Sequence, residues 1–292
     1  MTWSSFINSS GPKILQILAV LVIFFGFYGI AFAAGARLQG KKQNVLALSL
    51  FLVPALILAM TGLGIPAVQT FIESFKNADS SKWVGFANYT RAFKDPDILL
   101  AFRNTMLWII ISPVVVTALG LGLATMLNKM KREALAKSLI FMPMAISFVG
   151  GSLIWNLMYQ YQEPEMNQTG LVGQLMKSLG IPLQHLLLWS PWNNLFLMAV
   201  YIWGTTGFGM VILSAAIKNI PSDIEEAAQL DGASGFTLFR TVTVPMVKTT
   251  IIVVLTTAMV GTLKLFDVIH TMTGGNFKTD VLSNRMFDEH FV

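Results

Sequence analysis

Residues 104–128 read NTMLWIIISPVVVTALGLGLATMLN, a run without one Asp, Glu, Lys or Arg. As a helix rising about 1.5 Å per residue it is long enough to cross a hydrocarbon core of about 30 Å. A soluble helical bundle would need a polar face on such a segment, and there is none. Working outward, five further neutral runs appear, at 14–36, 43–72, 138–162, about 188–217, and 249–263 with an amphipathic extension to about 270. The last is short, and must take in Lys264 and Asp267. Their i,i+3 spacing on a continuous helix would let them pair. The run Ile14–Ala36 exceeds a typical signal-peptide core and is followed by Lys41 and Lys42, so it reads as a retained span. The composition agrees: 54% of the residues are hydrophobic and 12% charged, against roughly a quarter charged in soluble domains. The fold class expected is an all-α membrane protein with six spans in a lipid bilayer.

Loop charges orient the spans. Loop 37–42 carries Arg37, Lys41 and Lys42; loop 129–137 carries Lys129, Lys131, Arg132 and Lys137 against Glu133. Loop 163–187 has Glu163 and Glu165 against Lys177, and the tail 271–292 has Lys278 and Arg285 against Asp280, Asp288 and Glu289. Strongly positive loops face the cytoplasm. This puts 37–42, 129–137 and 218–248 inside, and the N-terminus, 73–103, 163–187 and the tail outside. The net charge of +5 follows from this asymmetry, and nucleic-acid binding is not expected. Segment 73–103 holds Trp83, Phe86, Tyr89 and Phe93 among turn formers and reads as a packed external cap. Without cysteine, and with His185, His270 and His290 far apart, no metal site is expected.

Loop 218–248 reads KNIPSDIEEAAQLDGASGFTLFRTVTVPMVK. Pro221 ends one helix. Ser222 with Glu225 predicts a capping box for a short helix over about 223–231, and Gly232 suits its stop. Ile224, Ala227 and Ala228 form an apolar stripe with no partner in the loop, which fits a groove in another protein; a surface helix lying on the membrane is the other reading. A second helix, about 234–241, is expected to lead to Pro245.

Glu226-Ala227-Ala228, Gly232 and Val242-x-Val244-Pro245 resemble the EAA signature of binding-protein-dependent ABC permeases, E-A-A-x3-G-x9-I-x-L-P, with Val242 and Val244 as conservative departures. LFLVPALILA at 50–59, VGFANYTRAF at 84–93, RNTM at 103–106 and Thr-Gly-Gly at 273–275 look like the sugar-permease group. The first span is similar to that of the maltose- and α-glucoside-type subunits. The resemblance implies a type I ABC importer transmembrane fold over 45–292, with 1–44 as an extra span and cytoplasmic turn and 222–241 as the cytoplasmic coupling loop. It implies a seventh span, so the natural chain is expected to continue past Val292. It implies that Glu226, Ala227, Ala228, Gly232 and Pro245 serve coupling to an ATPase. The implied partners are a second permease subunit, two copies of a nucleotide-binding subunit that hydrolyse ATP with Mg, and an extracytoplasmic solute-binding protein. The implied location is a bacterial inner membrane.

The run YIWGTTGFGM at 201–210 supplies candidates for the solute path, because glycines leave room, hydroxyls bond sugars and aromatic faces stack on them; small-residue helix packing explains the same residues equally well. The candidates in it are Trp203, Gly204, Thr205 and Phe208; the resemblance to maltose-type permeases carries Thr262 across from the helix after the EAA loop, Asp267 is an ionisable residue inside the last run, and Asn156 on the fourth span can also face the path. No Walker A sequence occurs, so no ATP or other cofactor is expected on this chain. An import permease for a di- or oligosaccharide or α-glucoside is the leading expectation. A permease for glycerol phosphate or a polyol, or an intramembrane enzyme, are the alternatives.

Overall fold

The computed structural model describes residues 41–128 and 130–291, with isolated positions between Leu18 and Ala33. The first predicted span, 14–36, lies largely outside the described residues. What is described is helical, and residues 1–90 and 91–292 form separate compact units.

In the first unit, α1 (Lys41–Ala59) runs through a π turn at Met60–Gly64 into α2 (Ile65–Glu73). Leu48–Glu73 is long and apolar enough to cross a membrane, and its most apolar stretch is not buried within the chain at all. After α2 the chain folds back on Phe75, whose ring meets those of Trp83, Phe86 and Tyr89 at 5.4–6.3 Å. Asn88 donates from Nδ2 to the carbonyls of Ser74 and Lys76, so its amide holds this aromatic cap together.

In the second unit, α3 (Pro96–Leu127) starts where Asp95 accepts from the amides of Asp97 and Ile98 and Pro96 fills the first turn. Its buried seam includes Ala101, Asn104, Trp108, Ser112, Val116, Gly120, Ala124 and Leu127, three or four residues apart. That seam faces α7 (Asn193–Lys218). Gly120 lets the two backbones meet: a Cβ there would stand 3.0 Å from Gly209 C and Met210 N.

The predicted span 138–162 is not a straight helix. Between α3 and α7 the chain forms α4 (Glu133–Phe141) and α5 (Phe148–Met158), which diverge by 99°. Pro143 interrupts the ladder in a 3-10 turn, and Ser147 starts the new helix by accepting from Gly150 N. A short α6 (Leu171–Ser178) follows. Beyond α7 come α8 (Ser222–Leu230), α9 (Gly235–Leu238), a π turn at Phe239–Thr243 and α10 (Val244–Met246). The expected second loop helix thus continues to Met246 before bending by 73° into α11 (Lys248–Leu263). Then α12 (Asp267–Met272) and α13 (Leu282–Phe291) complete the described chain. Among the described residues three helices can cross a membrane by length and composition, and five if each bent pair counts as one span.

The final span also departs from expectation. The helix stops at Leu263 and restarts at Asp267, so Lys264 and Asp267 do not share a helical face. No ion pair joins them: the described pairs are Glu133 with Lys137 and Lys218, and Arg285 with Glu289.

Between α12 and α13 the chain turns through left-handed backbone at Gly274, Gly275, Phe277 and Lys278. Non-glycine residues adopt this region at a cost and need outside support. Four side chains provide it. Asn104 donates to the carbonyls of Lys278 and Asp280 at 2.9 and 2.8 Å, and Asn193 to that of Phe277 at 2.8 Å. Thr105 accepts from Leu282 N, and Asn194, whose oxygen receives the Trp108 indole N–H, donates to the Lys278 carbonyl at 3.4 Å.

Candidate functional site

Two features stand at opposite parts of α7. The first is a cavity of about 320 Å3. Its walls come from the α4–α5 corner (Pro143, Met144, Ile146, Ser147, Phe148), from α7 (Tyr201, Trp203, Gly204, Thr205, Phe208), and from α11 and the break that follows it (Thr257, Gly261, Lys264, Phe266, Asp267). Phe148 stacks on Tyr201 at 5.6 Å and 17°, and Trp203 meets Trp155 edge-on at 5.7 Å. The Tyr201 hydroxyl donates to the Ala258 carbonyl, and Gly261 is bare because a Cβ would lie 2.6 Å from that hydroxyl. Thr205 donates to the Tyr201 carbonyl one turn back, which leaves its oxygen free to accept. The lining is therefore mostly apolar, with five aromatic rings and a few convergent polar groups. Asp267, partly buried, faces it without an ion-pair partner among the described residues. A small polar solute with apolar faces suits such walls.

Of the seven path candidates, Trp203, Gly204, Thr205, Phe208 and Asp267 come together here. Thr262 does not: it is buried and its hydroxyl donates to the Met259 carbonyl. Asn156 does not line the cavity either. The glycines of the 201–210 run divide between the two readings offered for them. Gly204 lines the cavity, while Gly207 and Gly209 serve helix packing. Sequence reasoning missed Phe148 and Tyr201. Tyr201 stands at the head of the quoted run, whereas Phe148 is brought in by the bend at Pro143.

The second feature is α8. Gly232 takes φ +87°, and Gly232 N and Ala233 N bond the carbonyls of Gln229 and Ala228. These two bonds close the helix C-terminus as a Schellman turn. The N-terminus differs from the predicted capping box. The helix begins at Ser222 itself, Pro221 occupies the cap, and no side chain bonds the first turn. Pro221 already supplies the extended backbone that enters the helix, so Ser222 is drawn into its first turn. Glu226 and Ala227 are exposed, as are Gly232 and Pro245. Leu230 is 89% and Phe236 74% exposed, the largest uncovered apolar side chains of the loop. Leu230 follows Ala227 by three residues and extends the stripe that begins at Ile224, a continuation the spacing could have revealed.

The family described as "Binding-protein-dependent transport system inner membrane component" matches residues 117–291. An osmoprotective compounds uptake permease protein of Synechocystis sp. is 43% identical over 83% of this chain and 87% of its own. An alpha-glucoside transport system permease protein of Rhizobium meliloti is 39% identical over 89% and 77%. In structure, a chain of a bacterial ABC transporter involved in the import of alginate superposes with a TM-score of 0.69 at 23% identity, covering 86% of this chain and 85% of that one.

Proposed function

The chain belongs to the family of binding-protein-dependent transport system inner membrane components, and from that premise we propose that it is the permease subunit of an ATP-driven importer of a neutral glycoside or small oligosaccharide. The observation that carries this is the continuity of α7. One stretch of it walls the aromatic cavity, and its last residue, Lys218, stands four positions before the exposed helix that begins at Ser222. A push on α8 therefore reaches the cavity wall through a connector of three residues and one continuous helix. The names of the relatives, which concern osmoprotective compounds, alpha-glucosides and lactose, supply the solute class. Ring faces of Trp203 and Phe208 suit sugar C–H faces, and Thr205 and Asp267 suit hydroxyls.

In this reading α8 docks in an ATPase subunit, with Glu226, Ala227, Ala228 and Gly232 at the contact and Pro245 at the return into the membrane. Two ATPase copies hydrolyse ATP with Mg, a second permease completes the path, and an extracytoplasmic binding protein delivers solute. The loop 218–248 lies in the cytoplasm and the N-terminus outside, in a bacterial inner membrane. Residues 1–44 add a span to the 45–292 transmembrane domain, whose coupling loop is 222–241.

Gly232→Val places a β-branched residue at φ +87° and opens the Schellman turn. Combined with Glu226→Ala, it is expected to lower both ATPase co-purification and solute-stimulated hydrolysis about tenfold, the consequence of losing roughly 1.4 kcal/mol or more of docking. Unchanged assembly and hydrolysis would refute the coupling role. At the cavity, Asp267→Leu is expected to cut uptake of a labelled α-glucoside by roughly tenfold or more, since a hydrogen bond to a charged group contributes about 1.5–3 kcal/mol. Assembly with the ATPase should persist. Full uptake by this variant removes Asp267 from the solute path.

A further inference from the structure

A polar cluster at the Lys218 end of α7 takes no part in the cavity or in α8. Glu133 Oε1 pairs with Lys137 Nζ one turn along α4, and with Lys218 Nζ at 2.7 Å. Lys137 Nζ also donates to Ser214 Oγ and, at 2.8 Å, to Asn128 Oδ1. Ser214 Oγ donates to the same Asn128 oxygen at 2.6 Å. Asn128 caps the end of α3, so three helix ends meet in one network. The Glu133 and Lys137 side chains are 21% and 17% exposed, so much of it is shielded from solvent. Hydrogen bonds from Lys137 and then Lys218 hold the Glu133 carboxyl below its ordinary range.

The arrangement is a ladder. Glu133 and Lys137 are one turn apart on α4; Ser214 and Lys218 are one turn apart on α7. Two turns further, Gly207 packs on α4 backbone, where a Cβ would stand 2.7 Å from the Ile140 carbonyl oxygen. Helix α4 is thus fastened to α7 from Lys218 up to Gly207. Both lead into the cavity wall, α4 through the 3-10 turn that follows it, at Pro143 and Met144, and α7 through Phe208 and Gly204.

We propose that Glu133 is a positioning residue for coupling: it fastens α4 to the root of the coupling loop, so that a displacement of α8 moves two of the three cavity walls, that of α7 and that of the α4–α5 corner, as one body. The proposal rests on reading α8 as the ATPase-docking helix. Without the clamp, motion of α8 bends α7 alone and the α4–α5 corner lags, so ATP is hydrolysed without solute passage.

The test uses the complete complex of both permeases, ATPase and binding protein in vesicles, with ATP hydrolysed and labelled α-glucoside taken up measured together. Glu133→Gln removes both ion pairs at nearly constant volume. Lys218→Met removes one from a side chain that is 53% exposed, so folding is spared if Glu133→Gln proves unstable. Each is expected to raise ATP hydrolysed per solute about fivefold or more, the lower end of ordinary coupling between sites. Lys218→Arg, which keeps the charge, is expected to retain the original ratio. An unchanged ratio in Lys218→Met, with the ATPase still co-purifying, overturns the clamp. Should Gly232→Val leave assembly and coupling intact, the docking role of α8 fails and the clamp with it. Should Gly232→Val break assembly while both clamp variants keep the ratio, the clamp alone is wrong.

Discussion

A Gly207→Ala chain is expected to lose thermal stability in detergent by several degrees, and a Gly207→Leu chain to yield no folded protein. The added Cβ would lie 2.7 Å from the Ile140 carbonyl oxygen and 2.8 Å from Phe141 Cα. Both obstacles are backbone, so no rotamer change relieves them, and α4 must move off α7. Overpacking of this kind costs about 1–3 kcal/mol for a few atoms and more when the backbone cannot yield. Gly122→Ala is the matched control. Nothing lies within 4 Å of its added carbon, and alanine in a helix interior is favoured over glycine by about 0.5–1 kcal/mol. A scan of melting by intrinsic fluorescence should therefore separate two glycine-to-alanine changes in opposite directions. Equal behaviour would show that α4 and α7 are not in backbone contact.

Replacing the fully buried Asn104 with leucine should destabilise the chain by about 1–3 kcal/mol, because the Asp280 carbonyl loses this donor and the Lys278 carbonyl keeps only the 3.4 Å bond from Asn194. Leucine is similar in size, so the loss comes from the hydrogen bonds and not from a cavity. The left-handed pair Phe277–Lys278 then has weaker support, and limited proteolysis is expected to cut at 276–281 in the variant before it cuts elsewhere. Wild-type resistance there in Asn104→Leu would deny the asparagine this role.

Asn104 also shows where sequence reading stops. Its partners lie 174 and 176 residues away, and nothing in RNTM at 103–106 announces a bond to a turn near the far end of the chain. The segment around it was legible for the opposite reason. A charge-free run is a local property, and Pro96–Leu127 is the helix that such a run demands. Breaks were harder. Pro143 was in plain view, yet composition measures apolar length and is blind to a 99° change of direction. The same blindness allowed an ion pair of Lys264 and Asp267, whose spacing is right only if the helix continues past Leu263. Within the candidate site, Trp203, Gly204, Thr205 and Phe208 could be found because they are neighbours on one helix. Thr262 lies off the cavity lining because the turn of α11 points its hydroxyl back to the Met259 carbonyl, which sequence spacing does not show. The clamp combines Asn128, Glu133, Lys137, Ser214 and Lys218 from three helices, and only the fold brings them together.

The bare apolar stretch Leu48–Glu73 obeys a different rule from the seam between α3 and α7. In the seam, a methyl group at Gly120 would meet Gly209 and Met210, so each position has a required shape. Along Leu48–Glu73 no described side chain of the most apolar stretch is fully buried within the chain, so exchanging one aliphatic residue for another meets far weaker demands of shape. Length and apolarity are what remain to be conserved. Such a segment is matched to the thickness of its bilayer, and mismatch is met by tilt or by local thinning, at fractions of a kcal/mol per Å. Over generations its sequence is free to drift while its span stays fixed: it measures the membrane, where the seam measures only itself.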